Sequence, residues 1–392
     1  MTFTRYELTI PVELTSELHI GGVDPVPDRD GEGTVIRFNR NGLKEPTIPG
    51  RSIRGAVRAA CDVARQALKD AGDPATQNGE AFSKENWISL WGDDTDYTGK
   101  SLLDRRLRRD DSLPIRQSAL TFHAVSFPAD QPMTTRHGVG IDRTTGAASD
   151  GALYEHEFLP RGTKFDIRIT AEGRDDETME RDQSEGIPGP SSSDTVKKLL
   201  EFIVDVLNSG AICLGGRTVS GQGTIQVIEL KLRRTGKTTD TGALTAPADV
   251  LDALIGEDEE GTPIPLELGG WSLEEPARIR INWWSPTGIF IAEDEKLTKQ
   301  RKTAKEDENR EQGINEEVHE VIYPLRDPSE EWENAQLLIP GTSIRGALRS
   351  RASRIARTIL AARDELSTFT SHDLHEQIAA EPNLVRYMFG ST

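Results

Sequence analysis

The stretch Ile48-Pro49-Gly50-Arg51-Ser52-Ile53-Arg54-Gly55-Ala56-Val57-Arg58 decides how the rest of the chain is read, because it occurs twice. The second copy, Ile339-Pro340-Gly341-Thr342-Ser343-Ile344-Arg345-Gly346-Ala347-Leu348-Arg349, differs only at Arg51/Thr342 and Val57/Leu348. An offset of 291 residues (339 against 48) is far too long for a solenoid repeat and fits a duplicated domain. Each copy encodes a Pro-Gly turn, a serine suited to N-capping (Ser52, Ser343) and then a helix. A helix start offers free N–H groups and the positive end of the macrodipole. Here Arg54 and Arg58, or Arg345 and Arg349, stand in the same turns. The pattern describes an anion site, with phosphate the natural anion. One copy alone would be explained as well by a helix that needs a cap and a soluble face; two copies point to a shared use.

Upstream of the first copy, residues 4–20 alternate apolar and polar (Tyr6, Leu8, Ile10, Val12, Leu14) and read as a strand with one buried face. His19-Ile20-Gly21-Gly22 ends it. A loop rich in Asp, Gly and Pro follows, with a short strand expected at Thr34–Phe38. The motif then opens a helix whose apolar positions Ile53, Val57, Ala60, Cys61, Ala64 and Leu68 share one side. Leu90-Trp91-Gly92 reads as an apolar plug with a turn. Strands are expected at Ala119–Phe127 and Glu155–Thr170, and the polar stretch Met133–Tyr154 between them forms a hairpin arm that leaves the core. The arm and its flanking strands occupy residues 116–170. Helical spacing returns at Thr195–Leu207, followed by the glycine-rich Leu214–Gly223 and a strand at Thr224–Leu232.

These elements make a first unit of residues 1–233. Residues 234–275 read as an acidic linker, and residues 276–392 as a second, partial unit. The second unit begins with a strand at Ala277–Trp284, has a charged insertion at 293–318, and places Ile344, Leu348, Ala352, Ile355, Ile359 and Leu360 on an inward helix face. Met388-Phe389-Gly390 repeats the plug at an offset of 298 (390 against 92), seven more than the motif. No counterpart of the arm, the long helix or the glycine loop follows. The second unit is therefore a reduced domain, a truncated one, or a half-unit completed by another chain.

Composition narrows the function classes. A chain of 392 residues suggests about two or three domains. A net charge of −18 argues against a generally basic nucleic-acid binder, although arginine gathers locally at 51–65, 104–109 and 345–363. No apolar run approaches the roughly 20 residues of a membrane span, and residues 1–20 lack a signal-peptide pattern, so a cytoplasmic location is expected. Cys61 and Cys213, both in apolar surroundings, suggest neither a disulfide framework nor a zinc site.

Four features together resemble the RAMP superfamily of CRISPR-associated proteins, in particular the crRNA-binding backbone subunits of type III effector complexes. They are the early Leu18-His19-Ile20-Gly21-Gly22 turn, the Ile-Pro-Gly motif, Gly140–Ala148 on the arm, and Leu214–Gly223. The resemblance spans residues 6–232; the second unit matches only through its motif and plug. It implies an α+β fold of ferredoxin-like, RRM-like units with antiparallel sheets. It also implies that the hairpin acts as a thumb and that the glycine-rich loop lies against the guide. The partners implied are crRNA, target RNA and other RAMP-type subunits, with no membrane. Because aromatics are only 6% of residues, recognition of backbone and shape is expected rather than base stacking.

The RNA-binding residues expected are Ser52, Arg54 and Arg58 on the first motif, with Ser343, Arg345 and Arg349 on the second. Arg136, His137 and Arg143 on the arm join them, as do Gly215, Gly216, Arg217, Ser220, Gly221 and Gly223 on the loop. The glycines would let the backbone approach a phosphate chain and present N–H groups as a nest. No Gly-Lys-Ser/Thr follows, so a nucleotide P-loop is excluded. Family members that cut target RNA use an aspartate in the loop after the His-Ile-Gly-Gly turn with a divalent metal, Mg or Mn. Counting forward from that turn favours Asp24 as catalytic residue and metal ligand, and Asp30 follows. Asp28 is a weaker candidate, and counting back from Val35-Ile36-Arg37 favours Glu32. Three readings stay open: a subunit that cleaves target RNA, a non-catalytic scaffold, and a RAMP-type endoribonuclease that processes precursor crRNA with His19 as acid or base.

Overall fold

The computed structural model describes residues 2–22, 26–27, 34–73, 82, 87, 90–92, 118–142, 148–174, 192–229, 231–239, 262–263, 265, 267–268, 271, 280–292, 295–314, 318–319, 321–326, 336–363 and 374–390. In chain order the first unit contains β1 (Thr2–Leu14), β2 (Val26–Pro27), β3 (Thr34–Ile36), β4 (Thr47–Ile48), α1 (Gly50–Asp70), β5 (Leu120–Phe122), β6 (Val125–Ser126), β7 (Thr134–Ile141), β8 (Ala148–Phe158), β9 (Lys164–Arg174), α2 (Ser193–Asn208), β10 (Ile225–Val227), β11 (Lys231–Thr239) and β12 (Thr262–Pro263). The second contains α3 (Glu295–Glu311), α4 (Gly341–Ala362), α5 (Leu374–Ala379) and α6 (Asn383–Phe389).

β1 is the centre of the main sheet. Its alternation puts Tyr6, Leu8, Ile10, Val12 and Leu14 on one face, all buried. One edge pairs antiparallel with β9, from Phe3 opposite Arg174 to Glu13 opposite Lys164. The other edge pairs antiparallel with β11 and β10 in turn. The sheet order is β12-β11-β1-β9-β5. With α1 between β1 and β5, and α2 between β9 and β10, this is the βαββαβ arrangement of a ferredoxin-like unit. Both helices pack on the apolar face: α1 buries Ile53, Val57, Cys61 and Leu68, and α2 buries Val196, Leu199, Leu200, Ile203, Val204 and Leu207. Ser192 caps α2 by accepting from Thr195 N at 3.1 Å. The open face carries Arg5, Glu7, Thr9, Arg168 and Thr170 in place of aromatic rings, so the stacking platform of many RNA-binding sheets is not formed by these positions.

Three expectations are corrected. The strand predicted over Glu155–Thr170 is two strands, because Pro160-Arg161-Gly162-Thr163 turns between β8 and β9, with Gly162 at φ 83. The arm is a β7–β8 hairpin, and β3 pairs parallel with β8, so it belongs to a four-stranded sheet, β2-β3-β8-β7. The acidic linker does not begin at 234. β11 runs to Thr239 and β12 returns to pair with Arg233 and Arg234. Trp271 packs against Phe82 and Phe202, with ring centroids 4.7 and 5.5 Å away. Bulky aromatic area decides this against local polarity.

The second unit departs further from its sequence reading. Residues 280–292 form no strand, and only single bridges tie Ala292 to Pro324 and Arg326 to Leu337. The helix face expected inward is outward: Ile344, Leu348, Ile355 and Ile359 are 45, 55, 49 and 48% exposed, whereas Ile53 and Val57 in the first copy are 0%. Helical periodicity shows which residues share a side; it does not show that anything covers that side.

Candidate nucleic-acid interface

The repeated motif is built the same way in both copies, and differently from its sequence reading. Pro49 and Pro340 occupy the N-cap positions, so Ser52 and Ser343 lie one turn inside, and neither helix has a side-chain cap. The glycine after each proline is there for close approach. A Cβ on Gly50 would overlap the carbonyl oxygen of Phe122, and one on Gly341 would overlap that of Ser220. Thus α1 starts against the first unit's own sheet, and α4 starts against the first unit's glycine-rich loop.

The motif arginines point inward to the plugs. Arg54 donates to the carbonyl of Trp91, and Arg345 donates to that of Phe389. These are the equivalent residues of Leu90-Trp91-Gly92 and Met388-Phe389-Gly390, so the duplication preserves one internal bond. Arg349 is buried, donating from Nε to Glu381 at 3.1 Å, from its NH2 to the other carboxylate oxygen, and to the Gly390 carbonyl at 3.1 Å. Arg58 lies 3.9 Å from Asp62 one turn on. Arg54, Arg345 and Arg349 thus each have a structural role that their reading as phosphate contacts did not include. Charged side chains opposite an apolar stripe look solvated in sequence, but here the plug covers that side.

The glycine-rich loop is also more internally bonded than its composition suggests. Gly216 N–H donates to His19 O at 2.9 Å, Gly223 N–H to Glu17 O at 2.8 Å, Ser220 N–H to Arg217 O at 2.8 Å and Gly221 N–H to Thr218 O at 2.9 Å. The first two amides seat the loop on the His19 turn, the last two close a turn within the loop, and these four do not form the open nest expected. A Cβ on Gly215, at φ 75, would overlap the His19 carbonyl, so the seat requires glycine. The loop's cation is the half-buried Arg217, itself left-handed at φ 59, with its guanidinium 5.2 Å from the centre of the Tyr154 ring.

Beneath Arg217 is a group the sequence reading missed. His19 and His156 meet edge to face at 4.9 Å, with Phe158 5.4 Å from His19 and Tyr154 5.2 Å from His156. His19 Nδ1 donates to Glu157 O at 2.7 Å, since a carbonyl only accepts; this ties the turn to β8. That is the geometry of a histidine that holds the fold. Burial, with Arg217 and His19 nearby, pushes the His156 imidazole down to about 4, so it is neutral at neutral pH. Burial also lowers His19, against the opposing pull of its bond to Glu157. The signal was present in the sequence: Tyr154, His156 and Phe158 alternate along one strand face. A polar residue in an apolar register was read only as periodicity.

A cavity of about 160 Å³ lies where the β7–β8 hairpin, the glycine-rich loop and the start of α4 converge; Tyr154, His156, Arg217, Gln222, Thr342 and Ser343 are among its lining residues. At its edge Arg136 pairs with Glu17, Nε to Oε1 at 3.1 Å, and His137 Nδ1 stands 3.2 Å from Glu155. Two of the three arm residues expected to touch RNA thus have carboxylate partners. Arg143 lies outside the described residues, as do Asp24, Asp28, Asp30 and Glu32; the loop bearing the four carboxylates adjoins β2 and β3, and Ile36 of β3 sits opposite His156. Among the described residues no group of three or more His, Cys, Asp or Glu could hold a metal ion.

A family model, the RAMP superfamily, matches residues 12–226, more than half of the chain. The chain belongs to the RAMP superfamily. That makes it a CRISPR-associated protein of an RNA-binding family, and the match runs from the last residues of β1 into β10, taking in α1, β5, β9 and α2 between them. A search of curated proteins found no match. Among the described residues no helix of this RAMP protein is long and apolar enough to cross a membrane.

Proposed function

We propose that this protein is a crRNA-binding backbone subunit of a type III-like CRISPR effector complex in antiviral defence. The observation that carries the reading is Arg217: an arginine on the glycine-rich loop of the complete unit, stacked on Tyr154 above a cavity and engaged by no carboxylate among the described residues. An arginine so placed can meet a phosphate without first breaking an ion pair. The polar open-face positions Arg5, Glu7, Thr9, Arg168 and Thr170 support binding to backbone rather than bases, as a guide of any sequence requires. The uncovered apolar face of α4 supports membership of an assembly with other RAMP-type subunits.

Cleavage of target RNA belongs to the same proposal. Asp24, with Asp30 second, is assigned to hold a divalent metal, Mg or Mn, which would supply charge stabilisation at the cleaved phosphate. A scaffold without cleavage is the alternative, and single Asn substitutions of Asp24, Asp28 and Asp30, with Glu32→Gln, in the assembled complex separate the two. Loss of cutting in one variant with target binding retained supports cleavage, and unchanged cutting in all four removes it. The guide-binding reading is tested by sequencing the RNA that copurifies with the protein from its native host. Short RNAs of uniform length with CRISPR repeat sequence at one end are expected; cellular RNA of mixed origin would refute the proposal.

A further inference from the structure

The cavity contains polar groups that the fold leaves unused. His156 is 6% exposed, yet among the described residues its imidazole makes only ring contacts, and Nδ1 is shielded from solvent with no hydrogen-bond partner. A neutral imidazole carries one donor and one acceptor, and buried groups of this kind are nearly always satisfied. Gln222 Oε1, from the glycine-rich loop, is likewise buried without a partner. Across the cavity, α4 begins with no side-chain cap and no acidic residue in its first turn, so its amide end favours an anion. Arg217 supplies a cation that no carboxylate engages among the described residues, while Arg136 and His137 are held by Glu17 and Glu155.

From this we infer that the cavity takes one ribonucleotide unit of a single RNA strand, its phosphate toward Arg217 and the start of α4, and its ribose 2′-hydroxyl toward His156 and Gln222. A 2′-hydroxyl accepts from the imidazole N–H when Nδ1 carries the proton and donates its own single proton to the Gln222 amide oxygen; a deoxyribose does neither. The site is shared by the two units: α4 completes on the first unit's loop a pocket that the first unit alone leaves open. It rests on the guide-binding reading, and it adds the discrimination of RNA from DNA at a defined place.

The test uses the full chain, fluorescence anisotropy, an oligouridylate and the matching oligodeoxyuridylate. His156→Phe keeps the ring packing and removes both nitrogens. It is expected to weaken RNA binding about five- to tenfold and to leave DNA binding unchanged. Arg217→Gln is expected to weaken both. A second arm leaves the protein unaltered and scans single 2′-deoxy substitutions through the RNA. One position is expected to lose affinity by a similar factor, and that loss should vanish in the His156→Phe protein. An RNA-to-DNA ratio unchanged by His156→Phe, together with a flat deoxy scan, overturns the inference and leaves guide binding intact. Failure of the unaltered chain to bind the oligouridylate overturns the guide-binding reading itself.

Discussion

Replacing Arg349 separates a structural arginine from an RNA contact. Its side chain is 8% exposed and that of Glu381 is 0%. Arg349→Met therefore leaves a carboxylate buried with its main cation gone, and also removes the bond to the Gly390 carbonyl. Breaking a buried pair from one side costs about 3–5 kcal/mol, because the remaining charge has lost its compensation. Glu381→Met should cost a similar amount. The double variant, which buries neither charge, should recover most of it, since a buried pair and a well-packed apolar pair are often nearly equivalent. Urea unfolding of the four proteins measures this cycle, and anisotropy with an oligouridylate measures the other role in the same samples. The expected result is a coupling of about 2 kcal/mol or more, with RNA affinity unchanged in the double variant. Unaltered stability in Arg349→Met, accompanied by weaker RNA binding and a shallower salt dependence, would refute the structural assignment.

Other perturbations follow from the same geometry. Gly50→Ala should destabilise by about 1–3 kcal/mol, since the opposing Phe122 carbonyl is backbone and cannot swing away, whereas Gly55→Ala, which meets nothing, should stabilise by about 0.5–1 kcal/mol; thermal unfolding of both checks this. Leu348→Glu on the uncovered face of α4 should change unfolding by no more than about 0.5 kcal/mol, while Val57→Glu at the equivalent buried position should abolish cooperative unfolding. The unfolded chain protonates His156 near the ordinary 6.5, and the folded chain only near about 4. Folded stability should thus fall as pH drops from about 6.5 toward 4 and level off below, with a ceiling of about 3 kcal/mol. The curve for His156→Phe should lack that component, and parallel curves would contradict it.

The first unit was legible because its elements obey simple periods. Two-residue alternation in β1 and helical spacing in α1 and α2 each had a core to face, so pattern and burial agree. The same logic failed on α4, where Ile344 and Leu348 repeat the pattern without a covering layer. It failed on Arg54, Arg345 and Arg349 because their partners, Trp91, Phe389 and Glu381, lie 37, 44 and 32 residues away, and no local pattern carries that pairing. The family motifs located the glycine-rich loop but credited its amides with a task that the His19 turn already occupies. Arg217 was one name among many in the sequence; only the stacked Tyr154 and the cavity beneath it distinguish it.

The most direct measurement is the affinity of the full chain for oligoribonucleotides of different sequence across a range of salt. Affinities that agree within about threefold between sequences are expected. The log–log salt slope should be negative and become shallower by about 0.7 in Arg217→Gln, the value for one single-strand phosphate contact. A strong base preference, or a slope untouched by Arg217→Gln, would contradict the reading of this face as the place where the protein holds its guide.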